Sequence, residues 1–160
     1  MNVTGHAHGA EHAPAANLNS LGLSATTHCL TGCVIGEITG MAIATAFGWG
    51  NGAQIALAIA LAYLFGFALT ARPLVKAGLA AGVVVSTALA ADTVSITIME
   101  AIDNLTIVLW PGAMDAGLGD ALFYVSIAAG FAIAFPFAFL ANRYMIARGR
   151  GHAVVHEYHH

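Results

Sequence analysis

The chain has 160 residues, of which five are Lys or Arg, eight are Asp or Glu, and 59% are hydrophobic. Charged residues make up 8%, about a third of the roughly 25% usual in a soluble domain, and the mean hydropathy is +0.79. Such a chain is too apolar to stay disordered and has too few charges to cover a water-soluble globule. A net charge of -3, with no Lys/Arg patch, argues against nucleic acid as a partner. What remains is an all-α integral membrane protein whose main surroundings are the lipid bilayer.

In chain order, residues 1–26 read as a flexible cytoplasmic tail containing His6, His8 and His12. They lack the positive n-region of a secretory signal. A spanning helix needs about 20 mostly apolar residues, and four stretches qualify. The first runs from about Thr27 to Trp49 and ends at the Gly48, Gly50, Gly52 break, with Trp49 at an interfacial position. The second covers about Gln54 to Ala71. Arg72-Pro73 is expected to stop it, because the residue before a proline avoids the α region. The third covers about Ala77 to Met99, and an external loop follows from about Glu100 to Gly119, with room for a short interfacial or re-entrant helix over Leu105 to Trp110. The fourth covers about Asp120 to Met145 and contains Pro136. Residues 27–146 thus read as a four-helix transmembrane domain. Residues 147–160 read as a second cytoplasmic tail, with His152, His156, His159 and His160. Short His-rich tracts of this kind are compositional candidates for metal capture.

All five basic residues fall in two places: Arg72 and Lys76 after the second span, and Arg143, Arg148 and Arg150 after the fourth. Four crossings put both places on one side. The positive-inside rule makes that side the cytoplasm, so both termini face inward (N-in/C-in) across a cytoplasmic membrane.

The first span carries the most informative pattern. Cys29, Cys33, Glu37 and Met41 recur at every fourth position and form one slanting row on a helix. Gly32, Gly36 and Gly40 run alongside at the same interval. A small-xxx-small row lets another backbone approach closely in lipid, which points to a Gly-packed homo-oligomer. If the helix begins near Thr27, Cys29 and Cys33 lie in its first two turns, where the dipole favours thiolate. Glu37 is then about 15 Å deep, where an ionisable group needs protein, a cation or water beside it. Two thiols one turn apart can clamp a soft ion, with His28 joining if the first turn frays. Sulfur suits Cu(I), and thiolate with imidazole suits Zn(II). The competing reading treats each Cys as a small hydrophobe that packs well. A Cys29–Cys33 disulfide is not expected, since one helical turn presents the sulfurs in series without the required dihedral.

The third span repeats the theme. Asp92, Ser95, Met99 and Asp103 fall on one face of a helix, and Glu100 joins Met99 and Asp103 toward the external mouth. No Lys or Arg lies in the interior of any span, so Glu37 and Asp92 are protonated, bound to a cation, or hydrated. Carboxylates, hydroxyls and sulfur without a basic partner suit a cation or proton path. The plainer alternative is a pair of neutral acids hydrogen-bonded across helices.

Several segments together carry a resemblance: Thr27-His28-Cys29 with Gly32-Cys33 and Gly36-Glu37; Ala71-Arg72-Pro73-Leu74; Asp92-Thr93-x-Ser95 with Met99-Glu100; and Asn142-Arg143-Tyr144 followed by Arg148-Gly149-x-Gly151-His152. From about Ser24 to His156 the chain resembles a prokaryotic membrane family known as domain of unknown function 4396. The resemblance implies a small four-helix protein of the prokaryotic inner (cytoplasmic) membrane. It supplies no reaction, and favours a soft metal only by analogy.

The leading expectation is binding or transport of a copper or zinc ion. His28, Cys29, Cys33, Glu37 and Met41 form its inner site, and Asp92, Ser95, Met99, Glu100 and Asp103 form an ion path. The histidines of the tails, His6, His8, His12, His152, His156 and His159, collect or release the ion. The alternative is a structural or assembly subunit of a larger membrane complex, its polar rows serving as interhelical hydrogen bonds. An enzyme is not expected, because no nucleotide loop, haem-attachment motif, HExxH or nucleophile-base arrangement is present.

Overall fold

The computed structural model describes residues 15–148 except Ala77, with side chains described from Leu18 onward. The order is α1 (Ala15–Ala46), α2 (Asn51–Lys76), α3 (Ala81–Leu109), a single 3-10 turn at Ala113–Asp115, and α4 (Ala121–Ala147). All four α-helices are long and apolar enough to cross a membrane, as expected for a multi-pass membrane protein. At 1.5 Å per residue, the 29 residues of α3 span about 43 Å, more than the ~30 Å hydrocarbon core. The seven tail histidines lie outside the described residues.

Three helix ends differ from the expected ones. Helix α1 starts at Ala15, a dozen residues before Thr27, because its added turns pack on α4: Gly22 lies against Phe139 and Arg143, and Thr26 is fully buried. Helix α2 does not stop at Arg72-Pro73 but carries Pro73 within its last turn and ends at Lys76. Its stop is Gly78, whose φ of +75° suits a glycine-capped C-terminus. The Gly78 N–H bonds the Val75 carbonyl and the Leu79 N–H bonds that of Leu74. Helix α3 runs ten residues past Met99 and ends at Trp110-Pro111-Gly112. Glu100, Asp103 and Ile107 continue its buried face, so the stretch expected as an external loop is mostly helix and contains no separate interfacial segment.

The chain folds as an antiparallel bundle in which each helix packs on its chain neighbour, α4 returns against α1, and α1 meets α3 across the diagonal. The glycine row of α1 lies on α2. A Cβ at Gly32 would stand 2.7 Å from the Gly66 Cα, and one at Gly40 would stand 2.6 Å from the Ala58 Cα. At Gly36 it would overlap the Ala62 backbone outright. The row is therefore used within one chain, against the helix that buries the least surface of the four, and does not by itself require a second copy. Helices α2 and α4 both turn small residues inward: Ala58, Ala62, Gly66 and Thr70 on one, Ser126, Gly130, Ala134 and Ala138 on the other. Those two narrow helices leave room for the polar faces of α1 and α3 to meet.

One end of the bundle, called the basic end below, holds Arg72, Lys76, Arg143 and Arg148, all exposed. The opposite end holds Trp49 and Trp110, also exposed, at positions suited to an interfacial aromatic belt.

Gly36→Ala is expected to destabilise the bundle by about 1–3 kcal/mol through overpacking, read as a lower unfolding midpoint in detergent. Gly52→Ala, at a position with nothing within 4 Å of the added methyl, is expected to be neutral.

Candidate functional site: a buried column of thiols and carboxyls

Helices α1 and α3 run parallel, so rows spaced by one turn on each can stay in register over several turns. Three levels result. At the first, the Cys29 thiol donates to Asp92 Oδ1 at 3.5 Å. At the second, Cys33 meets Glu100. At the third, the carboxyls of Glu37 and Asp103 face each other, with no hydrogen-bond partner for either Asp103 oxygen among the described residues. Successive α1 members are four residues apart, or about 6 Å along the axis. Cys29, Cys33, Asp92 and Asp103 are fully buried, Glu37 is 1% exposed and Glu100 3%.

The column has a polar lid toward the basic end. Asn142 of α4 donates one Nδ2 hydrogen bond to Thr26 Oγ1 of α1 and another to Ser95 Oγ of α3, both 3.0 Å. Thr26 in turn donates to the Gly22 carbonyl at 2.7 Å, and Ser95 also touches the Cys29 sulfur. Thr70 of α2 faces Asp92 from the other side. Toward the tryptophan end the polar groups give way to an apolar cluster that includes Met41, Ile107, Ala113 and Phe123. Among the described residues, Arg72, Lys76, Arg143 and Arg148 are exposed and His28 is half-buried.

The residues singled out from sequence divide clearly. Cys29, Cys33, Glu37 and Met41 share the buried face of α1, while Asp92, Ser95, Met99, Glu100 and Asp103 share that of α3. Glu100 and Asp103 stand inside the column, where an external mouth was expected, because α3 continues past them. Asp92 lies on the half of α3 nearer the basic end. His28 does not join the cysteines. It is half-buried on another face of α1, in a groove with Ser20, Leu23, Ser24, Thr27 and Thr31. The early start of α1 also removes the dipole argument for thiolate. Cys29 is 14 residues from Ala15, about 21 Å away, whereas the effect is confined to the first turn. Both cysteines are free thiols.

Asn142, Thr26, Thr70 and Gly130 escaped the sequence reading as site residues. The signal for the first and last was the small-residue row of α4, since Gly130, Ala134, Ala138 and Asn142 recur at every fourth position. Pro136 and the Ala132 whose carbonyl it frees are both exposed and take no part in the column. Most threonines satisfy their hydroxyls on their own helix, as Thr31 does on the Thr27 carbonyl and Thr93 on that of Leu89, a pattern that conceals a hydroxyl within a span.

Asn142→Leu removes the two interhelical bonds at once. With each such bond worth about 0.6 kcal/mol and at most about 1.7, a stability loss of roughly 1–3 kcal/mol is expected by reversible unfolding in mixed micelles.

No curated protein and no solved structure matches the chain. A family defined as a domain of unknown function, DUF4396, matches residues 20–151, from α1 through the end of α4. With the match running over all four helices and every level of the column, the chain belongs to the DUF4396 family.

Proposed function

We propose that the chain binds a soft or borderline transition-metal cation, Cu(I) or Zn(II), within the bundle and passes it through the membrane. The observation that carries this reading is the pairing of each α1 thiol with an α3 carboxyl, Cys29 with Asp92 and Cys33 with Glu100, in a core without buried basic groups among the described residues. A thiol must give up its proton to ligate a metal. The Cys29 thiol already donates toward Asp92 Oδ1. As the metal–sulfur bond forms and the S–H bond breaks, the proton passes to that carboxylate, and Glu100 serves Cys33 in the same way one turn further on. Sulfur supplies the affinity for a soft ion, and the carboxyl oxygens broaden the set toward Zn(II).

Among the described residues, no three His, Cys, Asp or Glu side chains form a ready-made metal site. A chain of sites with few ligands each is what conduction needs, since an ion held too well at one point does not leave it. Ser95 and Met99 line the path beside the acids, with Met41 beyond Glu37 offering a last soft ligand. On this reading the basic end faces the cytoplasm, and the His-rich segments that precede and follow the bundle in the sequence collect or release the ion.

The test is elemental analysis of the purified, tag-free protein after loading with copper or zinc under reducing conditions. About one equivalent of metal is expected in the native chain and none in the Cys29→Ser/Cys33→Ser variant, with the variant still folded. Equal metal in both, or none in either, overturns the proposal. The latter result leaves the bundle as a structural or assembly subunit.

A further inference from the structure

On the outer surface of the bundle, the seam between α1 and α4 carries two grooves that lie end to end. The one at the basic end, about 560 Å³, is lined by Asn19, Ser20 and Leu23 of α1 and by Phe139 and Arg143 of α4. The other, about 420 Å³, continues along the same two helices toward the tryptophan end, with Leu30, Val34 and Ile38 on one wall and Ala128, Ala132 and Phe135 on the other. Both volumes fall in the roughly 300–1,000 Å³ range of ligand sites. Phe135, Phe139 and Arg143 recur at every fourth position of α4, so the apolar groove and the basic one meet within one turn, about 6 Å.

The chemistry of this crevice changes at the depth where that of a phospholipid does. A hydrocarbon core of ~30 Å takes about 20 residues of helix. Counted back from the end of α1 at Ala46, that places the far boundary near Thr27. Leu30 and Val34 then lie inside the leaflet of the basic end, and Asn19 and Ser20 lie among its headgroups. Arg143 rises beside α1 because Gly22 has no side chain there: a Cβ on Gly22 would stand 3.4 Å from that of Arg143. No exposed acid stands at this end among the described residues, since Glu37, Asp92, Glu100 and Asp103 are buried in the column and Asp115 and Asp120 lie at the tryptophan end. Arg148, by contrast, sits over the Tyr144 ring, 4.4 Å from its centroid.

We infer that the crevice holds one anionic phospholipid, its phosphate on Arg143 with Asn19 and Ser20 as further donors, and one acyl tail along the apolar groove. The guanidinium fork matches phosphate oxygens, and basic pockets between spanning helices suit anionic headgroups. The exposed hydroxyls of Ser20 and Ser24 continue the polar surface beside Arg143 and favour a headgroup that carries hydroxyls, such as the glycerol of phosphatidylglycerol. A free phosphate ion meets the arginine but leaves the apolar groove unfilled. The crevice lies on the outside of the bundle, and none of its residues is a ligand in the metal reading.

Native mass spectrometry of the detergent-purified, metal-free full chain tests this, with phosphatidylglycerol and phosphatidylethanolamine of identical acyl chains offered in equal amounts. The native chain is expected to retain one phosphatidylglycerol with a preference of about fivefold, the factor that one basic residue near the membrane surface supplies. Arg143→Gln is expected to remove the preference and Arg148→Gln to keep it. Ala132→Trp, which fills the apolar groove and leaves the charge alone, is expected to lower retention of phosphatidylglycerol. Equal retention of the two lipids by the native chain overturns the inference, and this arm does not depend on how any variant folds. So does an equal loss of preference in Arg148→Gln and Arg143→Gln, the mark of diffuse surface charge, or displacement of the lipid by inorganic phosphate alone.

Discussion

At Gly32, Gly36 and Gly40 the backbone of α1 lies directly on the backbone of α2, and that contact decides where the polar row of α1 points. Cys33, Glu37 and Met41 each follow a glycine by one residue, which is a rotation of about 100° on a helix. With the glycines turned to α2, the polar row must face the interior, across the diagonal toward α3. A side chain at Gly36 would push the helices apart and swing this row. Packing and chemistry are thus coupled through one face of one helix.

The interior that results is unusual in its charge balance. Four acids and two thiols occupy the middle of a bundle whose basic side chains are all at one end among the described residues. An ionised group at the centre of a membrane helix costs about 2.5–3.5 kcal/mol even on insertion scales. The structure meets that cost by pairing rather than by neutralisation: each acid of the column touches a thiol or another acid. The small rows of α2 and α4 allow the two polar helices to approach, and Asn142 ties α1, α3 and α4 together above the first level.

Much of this was legible before any coordinates. The four spans follow from hydropathy, and both polar rows follow from spacing, because four-residue steps on a helix can share a face only in a narrow way. Helix ends were harder. Hydropathy falls at Glu100, Asp103 and Asn104, so a span that ends at Met99 reads naturally. The helix continues because Glu100 and Asp103 are buried against Cys33, Glu37 and Gly130, a fact of tertiary packing. Pro73 misled for a related reason: near the C-terminus of α2 it costs little, and Gly78 supplies the actual stop. Asn142 sits one residue before Arg143 at the apparent end of a span and reads as an interfacial residue, although it is 1% exposed. Because α1 is already regular helix at His28, the imidazole faces a different side from the cysteines and the helix N-terminus lies far from them, whereas the thiol–carboxyl pairing is a contact between helices that spacing within one helix does not reveal.

A glycine-sealed helix pair thus adjoins a diagonal column of thiols and carboxyls, closed by an amide clasp at the basic end and an apolar cluster at the other. X-ray absorption at the zinc edge of the metal-loaded, membrane-reconstituted protein tests most directly the proposal that the two sulfurs of α1 are ligands. Sulfur scatterers at about 2.3 Å, the usual Zn–S distance, together with oxygen, are expected. A first shell made of nitrogen and oxygen alone would contradict that proposal.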